Sequence, residues 1–180
     1  MKQTLRKESK FSNLGFLDIT LIITIVISLF LRIINIFFKS MYYNEWGLLV
    51  NMDAHPPFAF WFHELFIQLF GVNVPMLRFA SLIFAFGNFF LIFYIAKKLY
   101  GENIAKYALL IGLFSFWALF LTTSFDHEAS EVMFASLILF VAWLKYKETN
   151  FHSMKQMLFF SATLFFALFT KLYLGCKHNF

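Results

Sequence analysis

The chain alternates long apolar segments with short polar turns, and this alternation constrains its fold more than any other feature. Each helix that crosses a membrane needs about 20 apolar residues. Hydrophobic residues make up 61% of the chain and charged residues 14%, whereas soluble domains are about half apolar and a quarter charged. We therefore predict an all-α, polytopic transmembrane helical bundle of about five spans. The predicted spans run from about Leu14 to Phe38, Arg78 to Tyr94, Ala105 to Thr122, Val132 to Trp143 and Met157 to Lys171.

The two termini frame this bundle. Residues 1–13 form a basic tail, residues 14–175 the membrane region, and residues 176–180 an atypical polar tail. The first apolar segment is longer than a signal-peptide core of about 7–15 residues and has no small-residue cleavage site, so we predict an uncleaved first span. The single cysteine, Cys176, cannot form an internal disulfide.

The charges predict the orientation of the bundle. Basic residues flank alternate turns, which the positive-inside rule assigns to the cytoplasm: Lys97, Lys98, Lys106, Lys145, Lys147, Lys155 and the N-terminal tail. We therefore expect a multi-pass inner-membrane protein with a cytoplasmic N-terminus. Because the basic residues accompany apolar segments, the net charge of +5 does not indicate nucleic-acid binding. Acidic residues collect on the opposite side: Glu45, Asp53, Glu64, Asp126, Glu128 and Glu131.

A short amphipathic segment follows the first outer turn. It begins at Pro57, ends near Gly71 and is too short to span a bilayer, so we predict a juxtamembrane helix at the membrane surface. His63, Glu64 and Gln68 are expected on one narrow polar face. A divalent metal ion could bind there through Glu64, although neighbouring side chains point about 100° apart and only one of His63 and Glu64 could dominate such a site.

Two charged residues lie within the first apolar segment. Asp18 and Arg32 are separated by about 21 Å of helix and cannot pair. We expect each to reach its own membrane interface, because long side chains extend toward water. The alternative is that Arg32 faces the bundle interior and contacts an anionic headgroup.

Several motifs in order resemble the N-terminal part of a known family. The first outer turn carries Tyr43-Asn44-Glu45-Trp46, followed by Asp53-Ala54-His55-Pro56-Pro57. An arginine, Arg78, opens the second span, His127-Glu128-Ala129 forms a later turn, and Thr170-Lys171 ends the fifth span. Together they resemble polyprenyl-phosphate-dependent membrane glycosyltransferases of the glycosyltransferase-C superfamily, of the protein O-mannosyltransferase and aminoarabinose transferase type.

The resemblance implies roles for individual residues. It implies that a sugar passes with inversion from a membrane-bound polyprenyl-phosphate carrier to an acceptor at the outer membrane face. Glu45 and Asp53 are the candidate catalytic carboxylates, although Asp53 could instead fix its own turn. The candidate substrate-binding residues are His55, Arg78, Glu128 and Lys171. A plain turn histidine, a solvated acidic turn and a lysine reaching the interface are the simpler explanations of His55, Glu128 and Lys171.

Two departures from the family pattern affect these expectations. Asn44 stands where the family usually has an aspartate, and an amide cannot accept a proton. The chain also ends where family members continue with further spans, so we expect an N-terminal portion with little activity of its own. The alternatives are a non-enzymatic subunit that pairs with a separately encoded C-terminal half and, less favoured, a small transporter.

The predicted orientation can be tested by labelling. In a Cys176→Ser background, Glu45→Cys and Glu128→Cys should react with a membrane-impermeant maleimide from the same side of sealed vesicles, because both follow segments that end opposite the basic turns. Labelling of the two cysteines from opposite sides would overturn the arrangement.

Overall fold

In a computed structural model of the protein, the described residues, 15–38, 57–115 and 130–171, form six α-helices and contain no strand. The predicted all-α helical membrane bundle is confirmed. Two of the helices, α1 and α3, are long and apolar enough to cross a membrane. The helices are α1 (Phe16–Phe38), α2 (Pro57–Phe70), α3 (Val74–Tyr100), α4 (Glu102–Phe114), α5 (Ser130–Glu148) and α6 (Met154–Lys171).

Helix α3 is the centre of the bundle and begins earlier than its predicted start at Arg78. It packs against α1, α2, α4 and α5. Its first turn follows Asn73, whose extended backbone and the proline at position 75 suit a helix start. Arg78, at the predicted start of the membrane span, is buried in protein, with 1% of its surface exposed.

Helix α4 ends at Phe114. Ser115 leaves the helical conformation, and its N–H donates to the carbonyl of Ile111 at 3.0 Å. The helix has 13 residues and is about 20 Å long. The rest of the predicted span, residues 116–122, lies outside the described residues.

Helix α2 has nearly the predicted bounds, and one residue of its predicted polar face, His63, packs against other helices. It runs antiparallel to α3, with Phe62 against Phe84 at a centroid distance of 4.6 Å and His63 beside Ser81. Trp61 contacts Phe169 of α6. The expectation of one polar face shared by His63 and Glu64 is therefore wrong, because the 100° step between neighbours turns His63 inward.

Helices α1, α3, α4 and α5 meet at one end of the bundle. Most of its charged residues are lysines, and we call it the basic end. Lys106 of α4 pairs with Asp18 of α1, and Lys98 of α3 pairs with Glu148 of α5 at 2.8 Å. These ion pairs place the start of α1 beside the start of α4, and the end of α3 beside the end of α5. The sequence prediction that these basic turns share one side agrees with this packing.

Helix α1 buries a narrow stripe of four residues, three of them polar, against the other helices. Its buried residues recur every four positions, and most of its other side chains are exposed apolar groups, as expected of a helix in lipid. The stripe consists of Thr24, Ser28, Arg32 and Ile36.

The position of Arg32 in this stripe corrects the expectation that it reaches the membrane interface. Only 1% of its surface is exposed, and its guanidinium lies 5.0 Å from the centre of the Phe89 ring. It donates to the carbonyl of Leu113 at 3.4 Å, one residue before α4 ends, and to the carbonyl of Ser28 at 3.2 Å. The last carbonyls of a helix lack partners within it and favour a nearby cation, so Arg32 caps α4.

A groove of about 290 Å³ lies between α1, α3 and α4, next to this contact. Its walls are almost entirely apolar, and four phenylalanines of α3 form one side. The lining residues are Leu21, Ile25, Phe86, Phe89, Phe90, Phe93, Leu109 and Leu113.

Helices α3 and α5 approach closely at Gly87. A Cβ atom added there would overlap the ring of Phe134, with another ring atom at 2.9 Å. The same ring packs against Phe84 at a centroid distance of 5.5 Å. A glycine at this position therefore lets the two helices come together, as small residues do in membrane bundles.

We predict that Gly87→Ala lowers the free energy of unfolding by about 1–3 kcal/mol, because the Phe134 ring must move out of its packed position. Thermal unfolding in detergent measures the change. Gly112→Ala is the matched control, since its added Cβ would meet Phe89 at an ordinary 3.7 Å. Gly87→Ala/Phe134→Leu should regain most of the loss. Equal stability of the two alanine variants would contradict the proposed contact.

Candidate functional site

Three helices contribute a buried polar cluster at the end of the bundle opposite the basic end. His63 of α2, Ser81 of α3 and Glu131 of α5 are each at most 2% exposed. The Nε2 atom of His63 lies 3.2 Å from the hydroxyl of Ser81 and 3.7 Å from Oε1 of Glu131. The same hydroxyl donates to Oε1 of Glu131 at 3.4 Å. We call these three residues the buried polar cluster.

One arrangement of protons accounts for these three contacts. Since Ser81 donates its only proton to Glu131, its oxygen accepts from His63 Nε2–H, and the hydrogen bonds run from α2 through α3 to α5. Glu131 also lies in the first turn of α5, where the helix dipole favours negative charge. A carboxylate this deeply buried needs such partners, because losing them costs several kcal/mol.

The residue types of the cluster match a Ser–His–acid hydrolase, but the geometry does not. In such a triad the acid holds one imidazole nitrogen while the serine faces the other. Here the serine hydroxyl and the carboxylate both approach Nε2 of His63. The cluster therefore connects helices and does not form a nucleophile.

Arg78 lies one turn before Ser81 on the same side of α3. It is 1% exposed and donates through Nη1 to the carbonyl of Ile36 at 3.1 Å. Ile36 is two residues from the end of α1, so Arg78 caps α1 as Arg32 caps α4.

Asn88 extends the polar face of α3 further along the helix. Its amide donates to the carbonyl of Ser130 at 2.9 Å, where α5 begins. Within the described part of the chain, Asn88 Oδ1 and the Ser130 hydroxyl are buried without a hydrogen-bond partner. This contact and the buried polar cluster fix the start of α5 at two points.

The other predicted site residues lie mostly outside the described structure. Glu45, Asp53, His55 and Glu128 fall in segments 39–56 and 116–129, and the side chain of Lys171 also lies outside the described residues. Their assignments stay predictions, as does a phosphate-binding role for Arg78.

Glu64, the candidate metal contact, lies within the described structure. It accepts a hydrogen bond from Gln68 at 3.3 Å. Within the described ranges, no three His, Cys, Asp or Glu side chains come together to hold a metal ion.

Sequence reasoning missed Ser81 and Asn88 and placed Glu131 among the acidic residues of the outer side, without a partner. A signal was present in α3, because Arg78, Ser81 and Asn88 recur at a spacing of three and seven residues within an apolar helix. That spacing puts them on one face. The pairing of this face with His63 and Glu131 depends on tertiary packing, which the periodicity of a single helix cannot give.

The amide of Asn88 makes a hydrogen bond, whereas the hydroxyl of Ser130 has no partner among the described residues, and this difference predicts different effects of removing each side chain. Asn88→Ala should lower the free energy of unfolding by about 0.5–1.5 kcal/mol, because the buried hydrogen bond from its amide to the Ser130 carbonyl is lost. Ser130→Ala should be neutral or stabilising, since it removes a buried hydroxyl that has no described partner. Thermal unfolding of both variants tests this contrast, and a larger loss for Ser130→Ala would contradict it.

Comparison with known proteins adds one positive finding. Residues 54–176 match the family model described as dolichyl-phosphate-mannose-protein mannosyltransferase. No curated protein and no solved structure matches the chain. The matched region covers more than half of the chain and contains α2 to α6, with the whole buried polar cluster. The protein belongs to the dolichyl-phosphate-mannose-protein mannosyltransferase family and is a membrane mannosyltransferase-like glycosyltransferase.

Proposed function

We propose that the chain takes part in transferring a sugar from a polyprenyl-phosphate carrier to an acceptor hydroxyl at the outer face of the cell inner membrane. The observation that carries this proposal is the family match over residues 54–176. The family is named for a lipid-phosphate-linked mannose, which makes mannose the first sugar to test as donor.

The distribution of charge supports an outer-face site. Basic helix ends gather at one end of the bundle, and cytoplasmic loops are enriched in such residues. The buried polar cluster and Arg78 lie toward the opposite end, where segments 39–56 and 116–129 join the helices. Glu45, Asp53 and Glu128 belong to these two segments.

The chemistry requires one base and stabilisation of one leaving group. The acceptor oxygen forms a bond to the anomeric carbon, and the bond from that carbon to the carrier phosphate breaks with inversion. The hydroxyl proton passes to a carboxylate, for which Glu45 and Asp53 are the candidates. The polyprenyl phosphate leaves with the bonding electrons and gains negative charge that cations stabilise.

Arg78 and Lys171 are the candidate cations for that phosphate. A guanidinium can bind a phosphate with two parallel hydrogen bonds, whereas an ammonium acts as a point charge. Arg78 is already held in place by the Ile36 carbonyl, which limits the freedom it would lose on binding. His55 and Glu128 are proposed to contact the sugar or acceptor.

The proposal predicts that Glu45→Gln or Asp53→Asn lowers sugar transfer by at least about a hundredfold, as loss of a general base does. The assay uses radiolabelled polyprenyl-phosphate mannose and membranes from a strain that lacks the chain and is complemented with each variant. Such membranes would also supply a separately encoded C-terminal half.

The control is Glu148→Gln, which makes the same chemical change at the basic end, where Glu148 pairs with Lys98. Its transfer rate should match that of the parent chain. The proposal fails if both outer carboxylate variants retain parental transfer, or if complementation restores no transfer of any polyprenyl-phosphate-linked sugar.

A further inference from the structure

We infer that His63 is a positioning residue, which through Ser81 and Glu131 holds α2 at one fixed place on α3 and α5. The inference rests on three buried side chains, one from each helix, joined by contacts of 3.2 to 3.7 Å. Its consequence for sugar transfer rests on the proposed function, whereas the mechanical coupling of the helices does not.

The other described side-chain contacts of α2 are poor at fixing its position. They are mainly aromatic, such as Phe62 against Phe84 and Trp61 against Phe169. Aromatic pairs accept a range of distances and angles, so such a helix could slide or rotate at small cost. Phe66 and Phe70 stack along α2 itself and do not restrain it.

The buried polar cluster supplies the missing restraint. A small rotation of α2 would take His63 away from Ser81 and leave a charged carboxylate buried with fewer partners. No bulk water is available at this depth of an apolar bundle to replace the lost bond. The contact therefore selects one rotation of α2, as a single buried polar residue selects the register of a coiled coil.

The position of α2 affects the proposed site because the candidate acidic residues precede α2 and α5 closely in the sequence. Asp53 is four residues before Pro57, the first residue of α2, and so within about 14 Å of it. Glu128 is two residues before Ser130, the first residue of α5. Joining α2 to α5 through His63 and Glu131 thus ties together the two helices that begin immediately after the candidate acidic residues.

Hydrogen exchange of the full chain in lipid nanodiscs, followed by mass spectrometry, tests the coupling across helices. His63→Leu should increase exchange several-fold in α2 and also in the first turn of α5, which it does not alter. Glu131→Leu should increase exchange in α2. His63→Gln should preserve protection, because the glutamine amide nitrogen can occupy the place of Nε2 and donate to Ser81.

Ser81→Ala removes the bridging hydroxyl with the smallest change in volume. It should increase exchange in both α2 and the first turn of α5, and it replaces a leucine variant that fails to fold. The matched controls are His152→Leu, at an exposed turn near the basic end, and Glu148→Leu, on the same helix as Glu131. Increased exchange confined to the substituted helix, or spread evenly over all helices, would overturn the inference.

The kinetic readout separates positioning from substrate binding. In the mannose-transfer assay, His63→Leu should lower kcat by at least about tenfold, as displaced reacting groups do, with the donor KM within about twofold of the parent. His63→Gln should regain most of this loss. A raised KM with unchanged kcat would overturn the positioning role. If the parent transfers no sugar, the proposed function fails while the exchange result still decides the coupling.

Discussion

The bundle depends on satisfying helix ends in a solvent that offers no hydrogen bonds. Lipid cannot pair with the last carbonyls of a helix, so another part of the protein must. Arg32 of α1 caps α4 through Leu113, and Arg78 of α3 caps α1 through Ile36. Each arginine is itself costly to bury, and each becomes tolerable because a carbonyl-rich helix end receives it. The two arginines thus link α3 to α1 and α1 to α4.

The same rule shapes the buried polar cluster. Glu131 is acceptable where α5 begins because the helix start, Ser81 and His63 together offset the loss of water. The polar groups of α3 therefore serve two purposes, since Arg78 closes α1 while Ser81 and Asn88 hold α5. In the proposed function, the reacting groups at the outer face would be held by helices whose relative positions these few polar groups fix.

The sequence was sufficient for the fold class and for the grouping of the basic turns. Length and hydropathy reveal α1 and α3 directly, because a long apolar run in water has few alternatives. Hydropathy did not place Arg32, which was expected at the membrane interface and instead caps α4 inside the bundle. For the candidate site, the motifs indicated the family, but the meeting of His63 with Ser81 and Glu131 is a property of three packed helices.

The four-residue spacing on α1 has a geometric consequence. Buried positions at every fourth residue drift around the helix, since four residues turn it by about 400°. Packing along such an inclined ridge favours helices that cross at an angle. The Phe-lined groove lies between two places where α1 meets α4, the Asp18–Lys106 pair and the contact of Ser28 with the Leu113 carbonyl. Because its walls are apolar, we expect lipid acyl chains to fill this groove, so that the surrounding bilayer would help to hold α1 in place.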